Sequence, residues 1–338
     1  MKEEMEKARK LLDESENPLF FYHDDPDGLC AYLILKRHYK KGHGHMVKAS
    51  PYLTEDFLPR IEEHKSDLIV VLDIAHIEED FIQKAKLPII WIDHHEPNPK
   101  KGTLYINPRI ESHEDNKPAS WLCHELTGTD FWLGAAGSIS DWVIPKEVEM
   151  LENEQKDLIS KPFTAPHLLF ETPLGTLVKV LSFNLKGSHS DVKKSINAIE
   201  KVQHPNDILK QESEPGKFVW KKFQKINREY EDQLGQANSQ RTDHRFIIYI
   251  YSEYQTSLTK DLANEVYARH PDKIIILGRE KSGKIMFSIR GNVNIPPALE
   301  KALAGLEGKG GGHEHACGGW IKADDFPEMA SRLKENLE

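Results

Sequence analysis

His23, Asp25 and Asp27 fall within five residues, Asp73 stands at the end of an apolar run, and Asp93-His94-His95 closes another. Carboxylates with a few imidazoles and no neighbouring thiolate form a hard donor set. Such a set suits Mn²⁺ or Mg²⁺ better than structural zinc, and its histidines tilt the choice towards Mn²⁺. Two ions about 3.5–4 Å apart need a bridging carboxylate, and together they activate a water and neutralise phosphoryl oxygens. The natural substrate is a phosphoester.

For these groups to meet, the chain must deliver them to one place. Residues 19–22 read as a short buried strand running into His23 to Gly28, residues 67–72 as a strand running into Asp73, and residues 87–92 as a strand running into Asp93. Open parallel sheets carry their chemistry at the carboxyl ends of the strands. Helical spacing over residues 29–39 and 78–85 alternates with these strands, which predicts a parallel sheet with helices on its faces. Further helices are expected at 119–126 and 131–142. The second contains Gly134-Ala135-Ala136-Gly137-Ser138, small side chains that would let it pack close to the sheet and bring Asp141 to the strand ends as a last ligand.

The 338 residues are enough for two domains with a substantial core. Hydrophobic residues make up 38% and charged residues 29%, a globular balance. No apolar run approaches membrane-spanning length and the first residues read as a charged helix, so a cytoplasmic protein without a membrane segment is expected. Cys30, Cys123 and Cys317 are far apart and form no CxxC pair, so neither a zinc knuckle nor a disulfide framework is indicated. A formal charge of −9 argues against a general nucleic-acid coat. It is compatible with a nuclease, whose acidic cluster attracts phosphate once cations are bound.

Residues 145–240 read as helical segments with several prolines and a long charged helix over 217–236. A second alternation then begins: strand 246–251, helix 258–268, strand 273–277, a turn, strand 285–290, helix 297–306, and a glycine-rich stretch, Gly310-Gly311-Gly312-His313-Glu314-His315-Ala316-Cys317-Gly318-Gly319. The expected architecture is α/β. An N-terminal, doubly wound, mainly parallel sheet (residues 1–145) is followed by a helical connector (146–240). A smaller C-terminal α/β domain (241–338) completes the chain, with a cleft between the two domains.

In this order, His23-x-Asp25-x-Asp27-Gly28, Asp73, Asp93-His94-His95, Asp141 and the late Gly310-Gly311-Gly312-His313-x-x-Ala316-x-Gly318 resemble the DHH phosphoesterase family. The glycine motif resembles that of the branch with a DHH-associated C-terminal domain, which includes RecJ-like exonucleases and oligonucleotide phosphodiesterases. The resemblance implies Asp25, Asp27, Asp73, His94 and Asp141 as metal ligands, with Asp73 bridging and His23 as a further ligand. Asp93 would orient a neighbouring ligand and His95 would contact the scissile phosphate. Arg290, Gly310, Gly311, Gly312 and His313 would bind substrate, the glycines by letting backbone N–H groups approach a phosphate. The family shows both an H-x-D-x-D-G and a wider H-x-x-P-D-x-D form of the first motif. This chain has Pro26 but Leu29 in place of the last Asp, so which ion each turn residue serves stays open.

The resemblance implies a Mn²⁺-dependent (Mg²⁺ as substitute) exonuclease on single-stranded DNA or RNA. The alternatives are a phosphodiesterase or phosphatase for short oligonucleotides or small nucleotides, and an inactive replication or repair scaffold. A helicase or a replication or repair protein would be the partner. Two near-motifs are set aside: residues 278–285 nearly spell a P-loop, but Ile285 replaces the Ser or Thr and a strand follows, so a hairpin is expected. His43-Gly44-His45 is read as a solvated basic loop, and His315 as a partly exposed loop histidine.

Overall fold

The computed structural model describes residues 1–48, 52–155, 157–240, 245–252 and 257–337. The chain forms two compact units, residues 1–185 with 189–220, and residues 186–188 with 221–338. Among the described residues no helix is long and apolar enough to cross a membrane.

The first unit contains β1 (Pro18–His23), β2 (His43–Val47), β3 (Tyr52–Leu53), β4 (Leu68–Leu72), β5 (His76–Ile77), β6 (Ile89–Ile92) and β7 (Leu104–Ile106). Five of them form one parallel sheet in the order β2-β1-β4-β6-β7, while β3 and β5 pair separately. Leu19, Phe21, Ile69, Val71, Ile89 and Trp91 face one side and pack with Phe81 and Ile61. The alternate residues Phe20, Tyr22, Val70, Leu72, Ile90 and Ile92 are also buried. On their side lies the helix Pro26–Tyr39, whose Tyr32 stacks on Tyr22 at 4.5 Å and meets Phe20 edge-on at 5.7 Å. Burial of both faces is why these strands read as unbroken apolar runs. The strand order reverses between β1 and β4, so the crevice beyond their carboxyl ends is the sheet's natural ligand position.

One expectation about this sheet is corrected. His43-Gly44-His45 is part of edge strand β2, paired with β1 from Leu19–His43 to His23–Val47. A Cβ at Gly44 would lie 2.4 Å from the Tyr32 ring, so the glycine seats the strand over that tyrosine. Its two histidines concealed a strand whose outer edge needs no apolar face. β7, only three residues long, had no separate signal.

The second unit contains β8 (Phe246–Tyr251), β9 (Ile274–Lys281), β10 (Lys284–Arg290), β11 (Gly308–His313) and β12 (Ala316–Lys322), in the order β11-β12-β10-β9-β8. β8 and β9 are parallel and the remaining pairs antiparallel. Ile274, Ile276, Ile285, Phe287, Ile289 and Ile321 pack on one face with the helices Ile295–Leu303 and Phe326–Leu337. The near-P-loop is indeed a hairpin: Ser282 (φ 51°) and Gly283 (φ 73°) both take left-handed backbone, as a two-residue turn of the primed type requires.

The glycine run belongs to a strand. Gly310, Gly311 and Gly312 lie in edge strand β11, paired with β12. A Cβ at Gly312 (φ 150°) would come within 2.3 Å of the Ala316 carbonyl oxygen, and one at Gly319 within 2.2 Å of the Lys309 carbonyl oxygen. The two strands approach too closely for side chains at these positions.

Candidate metal centre

The helix Pro26–Tyr39 starts directly on the end of β1. Pro26 opens it and the Asp25 carboxylate caps it, accepting the Gly28 N–H at 3.1 Å. A Cβ at Gly28 would lie 2.6 Å from the His23 carbonyl oxygen, so only glycine permits so sharp a turn. Asp73 ends β4 with φ 55°, a left-handed backbone that Asp tolerates better than most residues. Asp93, His94 and His95 follow β6, and Asp141 is the C-cap of the helix Phe131–Ser140.

These residues converge. Asp73 belongs to three potential ligand groups whose atoms lie within 4.8 Å of one another: His23 with Asp25, Asp27 with His94 and Asp141, and His94 with His95. His23 Nδ1 is 2.9 Å from Asp25 Oδ2 and 3.3 Å from Asp73 Oδ2. His94 Nε2 is 3.4 Å from Asp73 Oδ1 and 3.3 Å from Asp141 Oδ2. Its Nδ1 lies 3.3 Å from the Asn116 carbonyl oxygen, which turns Nε2 towards the carboxylates.

Asp27 is fully buried and tied to another segment. Its Oδ2 accepts the Ala119 N–H at 2.8 Å, and its Oδ1 accepts the Ser120 N–H at 3.0 Å and the Ser120 hydroxyl. Helix Ala119–Thr127 follows Pro118, which offers no capping side chain, so Asp27 caps it from across the fold. Asp93 accepts from His95 Nδ1 at 2.7 Å and from the Tyr105 hydroxyl at 3.3 Å, and Asn107 donates to that hydroxyl at 2.7 Å and to the His95 carbonyl at 3.0 Å. Ser120, Tyr105, Asn107 and Asn116 were not apparent from sequence.

The stripe of small residues approaches helices rather than the sheet, because Phe131–Ser140 packs chiefly on Pro26–Tyr39 and Ala119–Thr127. A Cβ at Gly137 would lie 2.3 Å from Ser120 Oγ and 3.0 Å from Asp27 Oδ1. Gly137→Ala is therefore expected to destabilise the fold by about 1–3 kcal/mol through overpacking, read as a lower urea midpoint. An unchanged midpoint would mean that the helices part without cost.

The electrostatics match a cation site. Burial, and then the charge of Asp73 and Asp141, raise the Asp27 carboxyl well above its ordinary range. Burial and Asp25 raise Asp73, while His23 and His94 pull it back. Burial opposes a proton on His23, but Asp25 and Asp73 outweigh it and lift the imidazole to about 11. The same contest, with Asp141 and Asp73 prevailing, lifts His94 to about 12. Asp73 Oδ1 is buried without a hydrogen-bond donor. An orphaned carboxylate oxygen at the centre of hard donors is what a divalent cation fits.

In the second unit, Arg290 Nε donates to Asn264 Oδ1 at 2.7 Å and Nη1 to the Ile289 carbonyl at 2.8 Å, and burial lowers its pKa to about 10. Arg290, Ala316 and His313 are register neighbours across β10, β12 and β11, with Gly310–Gly312 exposed on the outer strand. His315 is exposed, its Nδ1 3.2 Å from the Val293 carbonyl oxygen.

A search of curated protein sequences returns no match. The model of the DHH family, N-terminal domain, matches residues 19–130, and that of the DHHA1 domain residues 244–338. Among solved structures, RecJ from Thermus thermophilus in complex with Mn²⁺ aligns over 98% of this chain at 17% identity and TM-score 0.65. This chain spans only 54% of that one. A second structure, exonuclease RecJ bound to manganese, aligns over 98% of this chain and 93% of its own at 18% identity and TM-score 0.58. The pGpG-specific phosphodiesterase PggH from Vibrio cholerae aligns over 95% and 99% at 16% identity and TM-score 0.51. At these identities the likeness is one of fold. Carrying both domains in this order, the chain belongs to the DHH phosphoesterase family, in its branch with a DHHA1 domain.

Proposed function

We propose that the protein is a metal-dependent phosphodiester hydrolase, and specifically a Mn²⁺-dependent exonuclease on single-stranded DNA or RNA. The observation that carries this reading is Asp73, shared by three ligand groups with one buried oxygen lacking a donor. Asp25, Asp27, Asp73, His94 and Asp141 would hold two cations, with His23 as a further ligand and Asp73 between them. Bound there, divalent cations supply Lewis acidity to the phosphoryl group and lower the pKa of a water. Asp93 holds His95 by Nδ1 and, against the effect of burial, raises its affinity for a proton. Protonated in this way, His95 would be able to donate from Nε2 to a phosphate oxygen. Arg290, His313 and the backbone of Gly310–Gly312 would bind the substrate's phosphates.

The RecJ structures, one of them described as an exonuclease, support the long-strand reading. The phosphodiesterase match, nearly complete for both chains, favours a second reading in which the substrate is a very short oligonucleotide. End-labelled single-stranded DNA and RNA, from dinucleotides to long oligomers, should be digested with Mn²⁺ or EDTA, using Asp93→Ala and His94→Ala as controls. Ladders on long strands support the exonuclease, and cleavage of only the shortest substrates supports the second reading. No cleavage despite bound metal would leave the scaffold.

The two histidines add a pH signature. With pKa values raised to about 11 and about 12, His23 and His94 both carry protons at neutral pH. A cation taking His23 Nδ1 and His94 Nε2 must displace them. Mn²⁺ binding at neutral pH is expected to release about two protons, and its affinity to rise with pH. Calorimetry in two buffers of different ionisation enthalpy measures the release, and binding without it would place both histidines outside the ligand set.

A further inference from the structure

The segment after β7 closes a ring with the segment after β6. Register pairs Trp91 with Tyr105 and Ile92 with Ile106, and the Asp93 N–H continues the ladder by donating to the Ile106 carbonyl at 3.0 Å. Tyr105 and Asn107 thus stand level with Asp93 and His95, and four hydrogen bonds join the residues. His95 Nδ1 meets Asp93 Oδ1 at 2.7 Å, and the Tyr105 hydroxyl donates to Asp93 Oδ2 at 3.3 Å. The Asn107 amide donates to the Tyr105 oxygen at 2.7 Å and to the His95 carbonyl oxygen at 3.0 Å. Followed round, the bonds begin and end on His95.

One amide sets the direction of them all. Asn107 Oδ1 accepts the Arg109 N–H at 3.0 Å, so Nδ2 is the atom turned inward and both its hydrogens are used. The Tyr105 oxygen accepts one of them, which leaves the phenol proton for Asp93. Asp93 accepts again at its other oxygen, which puts a hydrogen on His95 Nδ1 and leaves Nε2 as the nitrogen that meets a ligand. Asp73 Oδ1 stands 3.9 Å from the same Nδ1, too far to compete with Asp93.

The ring is buried except at its working end. Asp93, Tyr105 and Asn107 are 0%, 8% and 1% exposed, whereas the His95 side chain is 35% exposed. Trp91 packs on the Tyr105 ring at 4.4 Å between centres and is itself anchored by its N–H on the Ile74 carbonyl at 2.7 Å. The last torsion of an aspartate is broad and roughly two-fold. A carboxylate gripped at one oxygen therefore swings, and a histidine hung on it swings too. Tyr105 grips the second oxygen, while Asn107 holds both Tyr105 and the His95 backbone.

We propose that Tyr105 and Asn107 are positioning residues for hydrolysis: the ring they complete fixes the plane of His95, and so the direction from which Nε2 meets a phosphate oxygen. The inference rests on the phosphodiester hydrolase reading and deepens it with two residues outside the ligand and substrate sets. A displacement of about 1 Å at a reacting group is enough to cost a hundredfold in rate.

The test uses the full chain with Tyr105→Phe, which keeps the ring on Trp91, with Asn107→Leu, and with both together. Hydrolysis of an oligonucleotide with Mn²⁺ is followed at several substrate concentrations. Tyr105→Phe is expected to lower kcat by about 10–100-fold while KM and the calorimetric affinity for Mn²⁺ stay close to the parent's. The double variant should fall within about threefold of the lower single variant, because both changes break one ring. Parental kcat in Tyr105→Phe, a loss carried by KM or by Mn²⁺ affinity, or losses that multiply would each overturn the positioning role. A second readout needs no turnover: in metal-free protein labelled with ¹⁵N-histidine, the His95 Nδ1–H resonance, assigned by its loss in His95→Gln, should shift or broaden in both single variants. An unchanged resonance, or none in the parent, would overturn the ring. A parent that cleaves no phosphodiester would overturn the hydrolase reading and the positioning role that rests on it, while the resonance would still decide the ring.

Discussion

Asp73→Asn is expected to lower kcat/KM for Mn²⁺-dependent phosphodiester hydrolysis by at least a factor of about a thousand, equivalent to roughly 4 kcal/mol of transition-state stabilisation. No other residue of the site lies in more than two of the ligand groups, whereas Asp73 lies in all three. The amide keeps the shape and suits the left-handed backbone at φ 55°, so the fold should survive. What is lost is one anionic oxygen of a carboxylate whose two oxygens face different histidines, Oδ1 towards His94 and Oδ2 towards His23. The variant should also lack the rise in melting temperature expected of the parent with Mn²⁺, since a ligand stabilises only as far as it binds the native state. Parental turnover in Asp73→Asn would remove this centre as the catalytic site.

Asp27 separates two roles that other positions confound. Asp27→Ala leaves the Ala119 N–H and the Ser120 N–H without their acceptor inside the fold and the Ser120 hydroxyl with only the Gly134 carbonyl oxygen at 3.4 Å, and each buried unsatisfied group costs about 1–3 kcal/mol. Relief of the buried charge beside Asp73 and Asp141 offsets part of that, leaving an expected loss of about 2–4 kcal/mol. Asp27→Asn retains an acceptor and sheds the charge, so its metal-free stability should stay close to the parent's. Its Mn²⁺ affinity should nevertheless fall steeply. Chemical denaturation without metal and calorimetry with it read the two effects separately. If Asn and Ala lose stability equally, or if Asn binds Mn²⁺ as the parent does, Asp27 is a cap alone.

The strands of the first sheet were legible because β1, β4 and β6 are buried on both faces and read as apolar runs ending in Asp or His. Their ends therefore marked the residues that the fold brings together as the candidate site. Edge positions were harder to read. β2 is exposed along His43-Gly44 and β7 has three residues, so neither carries a periodic signal, and β11 is a strand made largely of glycine, against propensity. The supporting residues were hidden for a different reason. Ser120 reaches Asp27 across 93 positions and Asn116 reaches His94 across 22, and proximity of that kind belongs to the packing of helices. An aspartate can cap a helix and stand in the cluster at once: Asp25 caps its own helix and Asp27 caps another, and both belong to candidate ligand groups.

The capping of helix Ala119–Thr127 by Asp27 has a kinetic consequence. The cluster is complete only after segments from His23 to Asp141 have closed on one another. Contacts between parts of the chain so far apart in sequence form after most of the loop-closure entropy has been spent. A cation that needs the whole set gains little from a partly ordered chain, so its stabilisation enters beyond the folding barrier. Mn²⁺ should then leave the refolding rate nearly unchanged and slow unfolding by almost the full factor of its stabilisation, which makes the loaded protein persistent rather than quick to form.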